Sequence, residues 1–568
     1  MARKLCLRQI RELKSLRKLS TSVASRKNDD YIIKSPLRDV EIPKMRFLDR
    51  VWKFSESYKD HEAVKCAETK KSYTYRQVRK NMAIFATSLR KKLCLEENDI
   101  VSALLPNSPE FPVVAFGTIQ AGCIFSPVNP AYKEIEISHQ LSTTQPKVVI
   151  TIPECYDNVM KGMKLAKSRA KVIIVDSPNK AIPAGVIRYT EIAESGETDY
   201  ILLDTIDKKD DDVAFIPFSS GTTGLPKGVE ITYKNLLAAA EIMAVKENCF
   251  PILTHGDFQD VVPCILPFFH IYGMVVTLLG HFTNGCKLVT LPRFSTSLYF
   301  DVLRNQNPTL LYVVPPVAIL LAKHPDVTKD HFRNVRTIVC GAAPLASSDV
   351  TALLEKGNGK MEFCQGFGAT ETTSLATSTF IGTNEVDYSS CGFGLANIEM
   401  MFVDPATVQP VPFGESGELC IRSPTVMKGY YKNDKATKET LTEDGFFRTG
   451  DLGHYDPKYG IYVTDRIKEL IKVKGMQVAP AELESILRSH PAVQDAAVIG
   501  IPHEYYGEAP KAFIIKKNGL NASSEEIQDY VASKVASFKK IEEVVFVNDI
   551  PKTSSGKILR KELKKMHA

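Results

Sequence analysis

The segment 218–230, FSSGTTGLPKGVE, gathers four hydroxyl side chains, three glycines and one lysine in a single short run. Gly221, Gly224 and Gly228 admit left-handed backbone and close approach. Successive backbone N–H groups in such a loop form an anion nest. Ser219, Ser220, Thr222 and Thr223 add hydroxyl donors, and Lys227 adds a positive charge. That set of groups suits phosphate. It is not the P-loop, which needs Gly-Lys followed by Ser or Thr; here Pro226 precedes Lys227 and Gly228 follows it. A second lysine in a Ser-Gly setting, Lys557 in TSSGKILRK, lies more than 300 residues downstream.

A loop of this kind needs rigid elements on both sides. DVAFIPF before it reads as a strand, and TYKNLLAAAEIMAVKE after it reads as a helix. Thr232 is the expected N-cap, and Leu236, Leu237, Ala240, Met243 and Ala244 make the apolar stripe. From about Asp99 strands and helices alternate, in DIVSALLP, PEFPVVAFGTIQAG, CIFSPVN, KLVTL, TSLYFDVLRNQ, TLLYVVP and TIVCGAAP. Alternation predicts parallel sheets covered by helices, with ligands beyond the carboxyl ends of the strands. Between Cys391 and Val463 short apolar runs separated by turn signals predict small antiparallel strands. After Asp465 a compact tail of strands and helices follows, with SSEEIQDYVASKVA as its last helix-like run.

Composition narrows the function classes. The 568 residues are 44% hydrophobic and 24% charged, as in globular proteins with a large core. The net charge is +6, but residues 1–28 alone carry +8, which leaves the body near neutral and argues against a general affinity for nucleic acid. Residues 1–28 are rich in Arg, Ser and Leu and poor in acids, the composition of a mitochondrial transit peptide. On a helical wheel Leu5, Leu13 and Leu16 oppose Lys4, Arg8, Arg11 and Lys18, while Leu7 breaks the pattern. Mitochondrial import is the expectation, with cytoplasmic or peroxisomal residence as alternatives; the C-terminal KKMHA is not the S-K-L address. The 12 cysteines form no C-x-x-C pair, so neither a disulfide framework nor a zinc site is expected. Residues 261–282 lack Asp, Glu, Lys and Arg, yet contain two prolines, and predict a buried strand, a turn and a helix start rather than a membrane span.

SSGTTGLPKG resembles the phosphate loop of the adenylate-forming superfamily, which holds acyl-CoA synthetases, beetle luciferases and peptide-synthetase adenylation domains. Further motifs resemble that family in order: LPFFHIYGM, GAAPL, QGFGATET, FRTGDLG, DRIKELIKVKGMQVAPAELE and PKTSSGKILRKEL. The last two are most similar to the 4-coumarate–CoA ligase and luciferase branch. The resemblance implies a large N-terminal domain of two doubly wound α/β subdomains plus a small β-barrel-like subdomain, followed by a small mobile α+β C-terminal domain. The implied boundaries are 40–464 for the AMP-binding adenylation domain and 465–568 for the mobile domain. The implied reaction is an ATP-dependent acid–CoA ligation through an acyl-AMP, with Mg2+, with coenzyme A as co-substrate and with a fatty or aryl carboxylic acid.

The same resemblance implies residue roles. Ser219, Ser220, Gly221, Thr222, Thr223, Gly224 and Lys227 would cradle the pyrophosphate. Gln365, Gly366 and Thr370 would border the adenylate, and Glu371 would bind magnesium. Asp451 would accept the ribose hydroxyls, supported by Arg466. Lys557 would bind the reacting carboxylate and α-phosphate. Lys472 and Gln477 match catalytic positions of the thioester step, Lys474 and Gly475 the coenzyme A tunnel, and Lys468 the hinge. His270, Tyr272, Cys340, Gly341 and Ala342, with Phe294, would line the acyl pocket. Some positions depart from the family pattern: Ala369 stands where Met is common, SSCGFG replaces Gly-Ser-x-Gly, and Ile271-Tyr272-Gly273 differs from the beetle luciferases. A luciferase-like mono-oxygenase and a 4-coumarate–CoA ligase proper are the alternatives. A non-catalytic relative would be expected to lose Lys557, Glu371 or Lys472, and all three are present.

Overall fold

A computed structural model describes residues 28–566 except 178–179, 220–225, 248–249, 344, 358, 374, 383–384, 474–475, 504–505, 536 and 554–555, and excludes the side chains of residues 28–29, 468, 476 and 477. Residues 1–27 of the expected transit segment therefore lie outside the described residues, as do Ser220, Gly221, Thr222, Thr223, Gly224, Lys474 and Gly475.

The alternating pattern produces two α/β sheets. In the first, nine-stranded sheet, Ile100–Leu104, Ile124–Pro127, Val148–Thr151, Lys171–Ile174 and Val213–Phe215 run parallel. Lys227–Thr232 folds back antiparallel on Val213–Phe215 and on Phe218–Ser219, so the two described ends of the glycine-rich run are paired at that sheet's edge. The helix after it, Tyr233–Met243, begins as predicted: Asn235 N–H donates to Thr232 Oγ1 and Thr232 N–H to Asn235 Oδ1.

The second unit joins the parallel strands Val261–Cys264, Lys287–Thr290 and Glu62–Cys66 to Leu310–Val313, Thr337–Cys340 and Glu362–Gly368. Hydrogen bonds between Val261 and Thr309 connect the two groups. The uncharged segment 261–282 folds as strand, turn and helix, and among the described residues no helix is long and apolar enough to cross a membrane. Its helix, Tyr272–Leu279, is wound i→i+5, which an all-apolar run cannot announce by periodicity.

Five antiparallel strands make the small subdomain, in the order Ile33–Lys34, Glu399–Val403, Gly417–Arg422, Phe447–Asp456 and Gly460–Arg466. Ile33 and Lys34 pair with Met400 and Glu399, so the chain joins this sheet ahead of residue 40. The C-terminal domain is a separate five-stranded sheet with its own core, including Ile471, Val498, Ile514 and Val531. One helix there, Arg560–Met566, was not expected from the sequence; its seven residues bury only Leu563.

Candidate active site

The expected nucleotide and acyl residues converge where the parallel strands Thr337–Cys340 and Glu362–Gly368 end, beside the antiparallel subdomain and the C-terminal domain. Gln365 and Gly366 lie on Glu362–Gly368, and Thr370 and Glu371 on the 3-10 turn Thr370–Thr372 that follows. The Gln365 amide donates to the Tyr388 carbonyl, which fixes that side chain. Gly366 leaves no room for a side chain, because a Cβ there would stand 2.5 Å from the Thr377 carbonyl oxygen.

Asp451 and Arg466 face each other across two antiparallel strands, and Arg466 Nε lies 2.9 Å from Asp451 Oδ1. Asp451 is 4% exposed. Burial raises its pKa, partly offset by the positive charges of Arg466 and Lys557. A buried carboxylate with two acceptor oxygens suits a vicinal diol.

Lys557 reaches this cluster from the C-terminal domain. Its loop closes on itself, with Thr553 N–H donating to the Lys557 carbonyl at 2.8 Å and Lys557 N–H to Thr553 Oγ1 at 3.0 Å. Gly556, at φ +81°, packs against the large domain so closely that a Cβ would stand 3.1 Å from Pro316 Cδ. Burial lowers the Lys557 pKa to about 8, reinforced by Arg466 and opposed by Asp451, Glu371 and Glu469. The ammonium therefore shares one electrostatic neighbourhood with both carboxylates of the site.

His270 lies within electrostatic reach of Lys557. Burial, then the Lys557 charge, pushes it down to about 4, so the ring is neutral near pH 7. Tyr272 N–H donates to His270 Nδ1 at 3.3 Å, which leaves the proton on Nε2 as a donor. The turn that carries His270 is held by Asn107, whose Nδ2 donates to the Cys264 and Leu266 carbonyls and whose Oδ1 accepts from Phe268 N–H. Tyr272 continues toward Gly341: a Cβ on Gly341 would meet the Tyr272 ring at 3.5 Å and the Gly366 carbonyl oxygen at 3.4 Å. Cys340 is fully buried, and burial pushes its thiol pKa well up. Ala342 is held at φ +81°, a strained setting for a residue with a Cβ. Phe294 does not join this wall; it is 48% exposed and its ring packs on Tyr299.

Glu371 has a partner that the motifs did not signal. The Tyr430 hydroxyl donates to Glu371 Oε1 at 2.9 Å, and Lys227 Nζ sits 4.1 Å from the centre of the Tyr430 ring. Tyr430 lies in Gly429–Tyr430, paired antiparallel to Lys227–Thr232, so the phosphate hairpin and Glu371 are tied through one tyrosine. His139 Nε2, 2.9 Å from the Pro226 carbonyl, braces the same hairpin from the first sheet's helix layer. Ser219 Oγ is buried and has no partner among the described residues. One carboxylate fits magnesium, which takes few protein ligands and fills its octahedron with waters and phosphate oxygens.

The remaining expected residues lie elsewhere. Lys472 is exposed on Ile471–Val473, paired with Gln477 on Met476–Val478, and among the described residues no hydrogen bond or ion pair joins it to Asp451, Glu371 or Lys557. Lys468 sits in the turn Ile467–Glu469, where the chain passes from the antiparallel subdomain to the C-terminal sheet. Asp465, just before that turn, accepts from Arg466 N–H at 2.7 Å and from Ala481 N–H at 2.9 Å. That second bond ties the subdomain to the helix Pro480–Arg488 of the C-terminal domain. Burial pushes Asp465 up to about 6.

Comparison with known proteins identifies the family. The AMP-binding enzyme family matches residues 51–431, and the AMP-binding enzyme C-terminal domain matches residues 482–557. The chain is 34% identical over 543 residues to 4-coumarate–CoA ligase 2 of Nicotiana tabacum, covering 95% of this chain and 97% of that one. It is 35% identical over 542 residues to 4-coumarate–CoA ligase 1 of Arabidopsis thaliana, covering 94% and 95%. The solved structure of ATP-bound MatB from Rhodopseudomonas palustris superposes with a TM-score of 0.81 at 26% identity, covering 92% of this chain and 99% of that one.

Proposed function

The chain belongs to the AMP-binding enzyme family of the adenylate-forming superfamily, and from that premise we propose how its residues divide an AMP-forming acid–CoA ligation. The enzyme takes a carboxylic acid, ATP, Mg2+ and coenzyme A. In the first step a carboxylate oxygen attacks the α-phosphorus and the bond to pyrophosphate breaks. In the second the coenzyme A sulfur attacks the acyl carbon, AMP leaves with the bonding electrons, and the thiol proton is released.

The observation that carries the assignment of roles is the seating of the Lys557 loop against Pro316, with Lys557 beside Asp451, Arg466, Glu371 and His270. Negative charge accumulates between carboxylate and α-phosphate during the first step, and a desolvated ammonium stabilises it strongly. His270 donates through Nε2–H to the acyl carboxylate without adding charge. Asp451 and Arg466 hold the ribose and its 5′ side, and Gln365, Gly366 and Thr370 bound the adenylate. Lys227 and the hydroxyls of the glycine-rich hairpin receive the departing pyrophosphate, which is why no Walker lysine is needed. Glu371, oriented by Tyr430, would hold magnesium, which would supply neutralisation of phosphate charge there.

Lys472, Lys474, Gly475 and Gln477 belong to the second step and come to the site by rotation of the residues beyond Lys468 about that hinge. Two lysine-bearing faces of one small domain, only one of them at the site, support that exchange. The acid has an apolar body, aryl or fatty, that runs from His270 past Tyr272 and Gly341. Residues 1–28 direct the protein to mitochondria; a fluorescent fusion that stays diffuse on deleting them, and mitochondrial with them, is the expected result.

ATP–pyrophosphate exchange over a panel of aryl and fatty acids, followed by coenzyme A consumption, tests the ligase assignment. At least one acid should drive exchange without coenzyme A and thioester formation with it. Luminescence with a luciferin and oxygen, in the absence of any exchange-active acid, would favour the mono-oxygenase alternative.

A further inference from the structure

Residues 424–431 run as a strap between two parts of the nucleotide site. On one side, Lys428 N–H donates to the Glu230 carbonyl at 2.9 Å and Tyr431 N–H to the Gly228 carbonyl at 2.8 Å, which ties the strap to the strand Lys227–Thr232. On the other, Met427 N–H donates to the Glu371 carbonyl at 2.8 Å, and the Tyr430 hydroxyl donates to Glu371 Oε1 at 2.9 Å. The strap therefore joins the strand that begins at Lys227 to the turn that carries Glu371.

Two buried side chains fix its path. Asn235 Nδ2 donates to the Pro424 and Val426 carbonyls at 2.8 and 2.9 Å. Thr373 Oγ1 donates to the carbonyl between them, that of Thr425, at 2.6 Å. Both donors are buried, and so is Thr425, so a carbonyl deprived of its donor is left unpaired at a cost in free energy.

Thr373 stands out from the other contacts. It follows the turn Thr370–Thr372, and its N–H closes that turn on the Thr370 carbonyl at 3.0 Å. Its φ is +60°, a setting rare for a β-branched residue and kept only where the surroundings over-determine it. The backbone bond to Thr370 and the side-chain bond to Thr425 are two such constraints. One strained residue, two positions from Glu371, thus links the Glu371 turn to the strap.

Resting on the ligase assignment above, we propose that Thr373 is a positioning residue for the magnesium carboxylate: its hydroxyl anchors the Glu371 turn to the strap and so sets Glu371 relative to the strand that begins at Lys227. Glu371 is then held at three points, at its carbonyl by Met427, at its carboxylate by Tyr430 and at the end of its turn by Thr373. A metal ligand loses affinity for its ion when such a support is removed.

Calorimetric titration with ATP, without acid so that no turnover occurs and with or without Mg2+, tests this. Thr373→Val keeps the side-chain shape and removes the hydroxyl. It should weaken binding of Mg2+–ATP about tenfold and leave binding of metal-free ATP within about twofold. Thr373→Ser keeps the hydroxyl and should restore Mg2+–ATP binding to within about twofold of the unaltered protein. Combined with Tyr430→Phe, Thr373→Val should cost less than the product of the two single losses, because both act on one carboxylate. Equal loss with and without Mg2+, as a merely structural role would give, overturns the proposal. So do unchanged Mg2+–ATP binding in Thr373→Val, failure of serine to restore it, and single losses that multiply in the double variant. If Thr373→Val does not fold, Thr373→Gly, which takes a φ of +60° freely, carries the same comparison. Absence of ATP binding in the unaltered protein is a separate result and strikes the ligase assignment instead.

Discussion

At the scale of single residues, two desolvated groups stand at the proposed place of the reacting carboxylate: Lys557, charged below about pH 8, and His270, neutral above about pH 4. Lysine acts only when protonated, so kcat/KM for exchange should hold to about pH 8 and then fall roughly tenfold per pH unit. No acidic limb from His270 should appear between pH 5 and 7. A stopped exchange assay across pH 5–10 reads both. Tyr430 gives a second residue-level expectation. Removing a group that orients a metal ligand typically costs about 10–100-fold in metal affinity. Tyr430→Phe should therefore raise the half-saturating Mg2+ concentration by about tenfold, measured by Mg2+ titration of exchange. The residues assigned to the substrate were proposed from motifs whose chemistry imposes types and spacing, as in QGFGATET and TSSGK. Tyr430 and Asn107 were not, because each acts through a partner distant in sequence: Tyr430 on Glu371, Asn107 on the carbonyls of Cys264 and Leu266.

At the scale of elements, the site depends on close backbone approaches that tolerate no side chain. In SSCGFG, Gly392 sits at φ +74°, where a Cβ would fall 2.1 Å from the Ser378 carbonyl, and a Cβ on Gly460 would fall 2.0 Å from the Gly392 oxygen. These contacts hold the antiparallel subdomain, and hence Asp451, against the strand Leu375–Ser378. Gly392→Ala should cost about 3 kcal/mol or more and lower the thermal midpoint by several degrees, read by calorimetry. Elements with strong periodicity or caps were readable: the Thr232-capped helix and the parallel strands stand where the sequence puts them. The i→i+5 winding of Tyr272–Leu279 was not, since every position of that stretch is apolar or small. Nor was Arg560–Met566, whose burial of one leucine leaves almost no amphipathic signal. That helix nonetheless matters, because Arg560 pairs with Glu484 at 2.7 Å and with Glu469, bracing the end of the hinge turn.

At the scale of the whole molecule, the two domains meet in one arrangement, with Lys557 at the site and Lys472 exposed. Asp465 helps hold it through Ala481 N–H, a bond that must break if the domain turns about Lys468. A hydrogen bond to a charged group contributes about 1.5–3 kcal/mol. Asp465→Ala should therefore slow adenylation by about tenfold or more and spare the thioester step, with the two half-reactions assayed separately. Lys468→Pro fixes one hinge torsion, so exchange should survive while thioester formation falls at least about a hundredfold.

The most direct test separates the half-reactions in Lys557→Ala. Pyrophosphate exchange should drop about a hundredfold or more, the loss of a preorganised charge at the reacting centre. Thioester formation from supplied acyl-AMP and coenzyme A should proceed near the unaltered rate, because that step uses the other face of the domain. Exchange at the unaltered rate, or equal loss of both half-reactions in a folded protein, would contradict the assignment of Lys557 to adenylation alone.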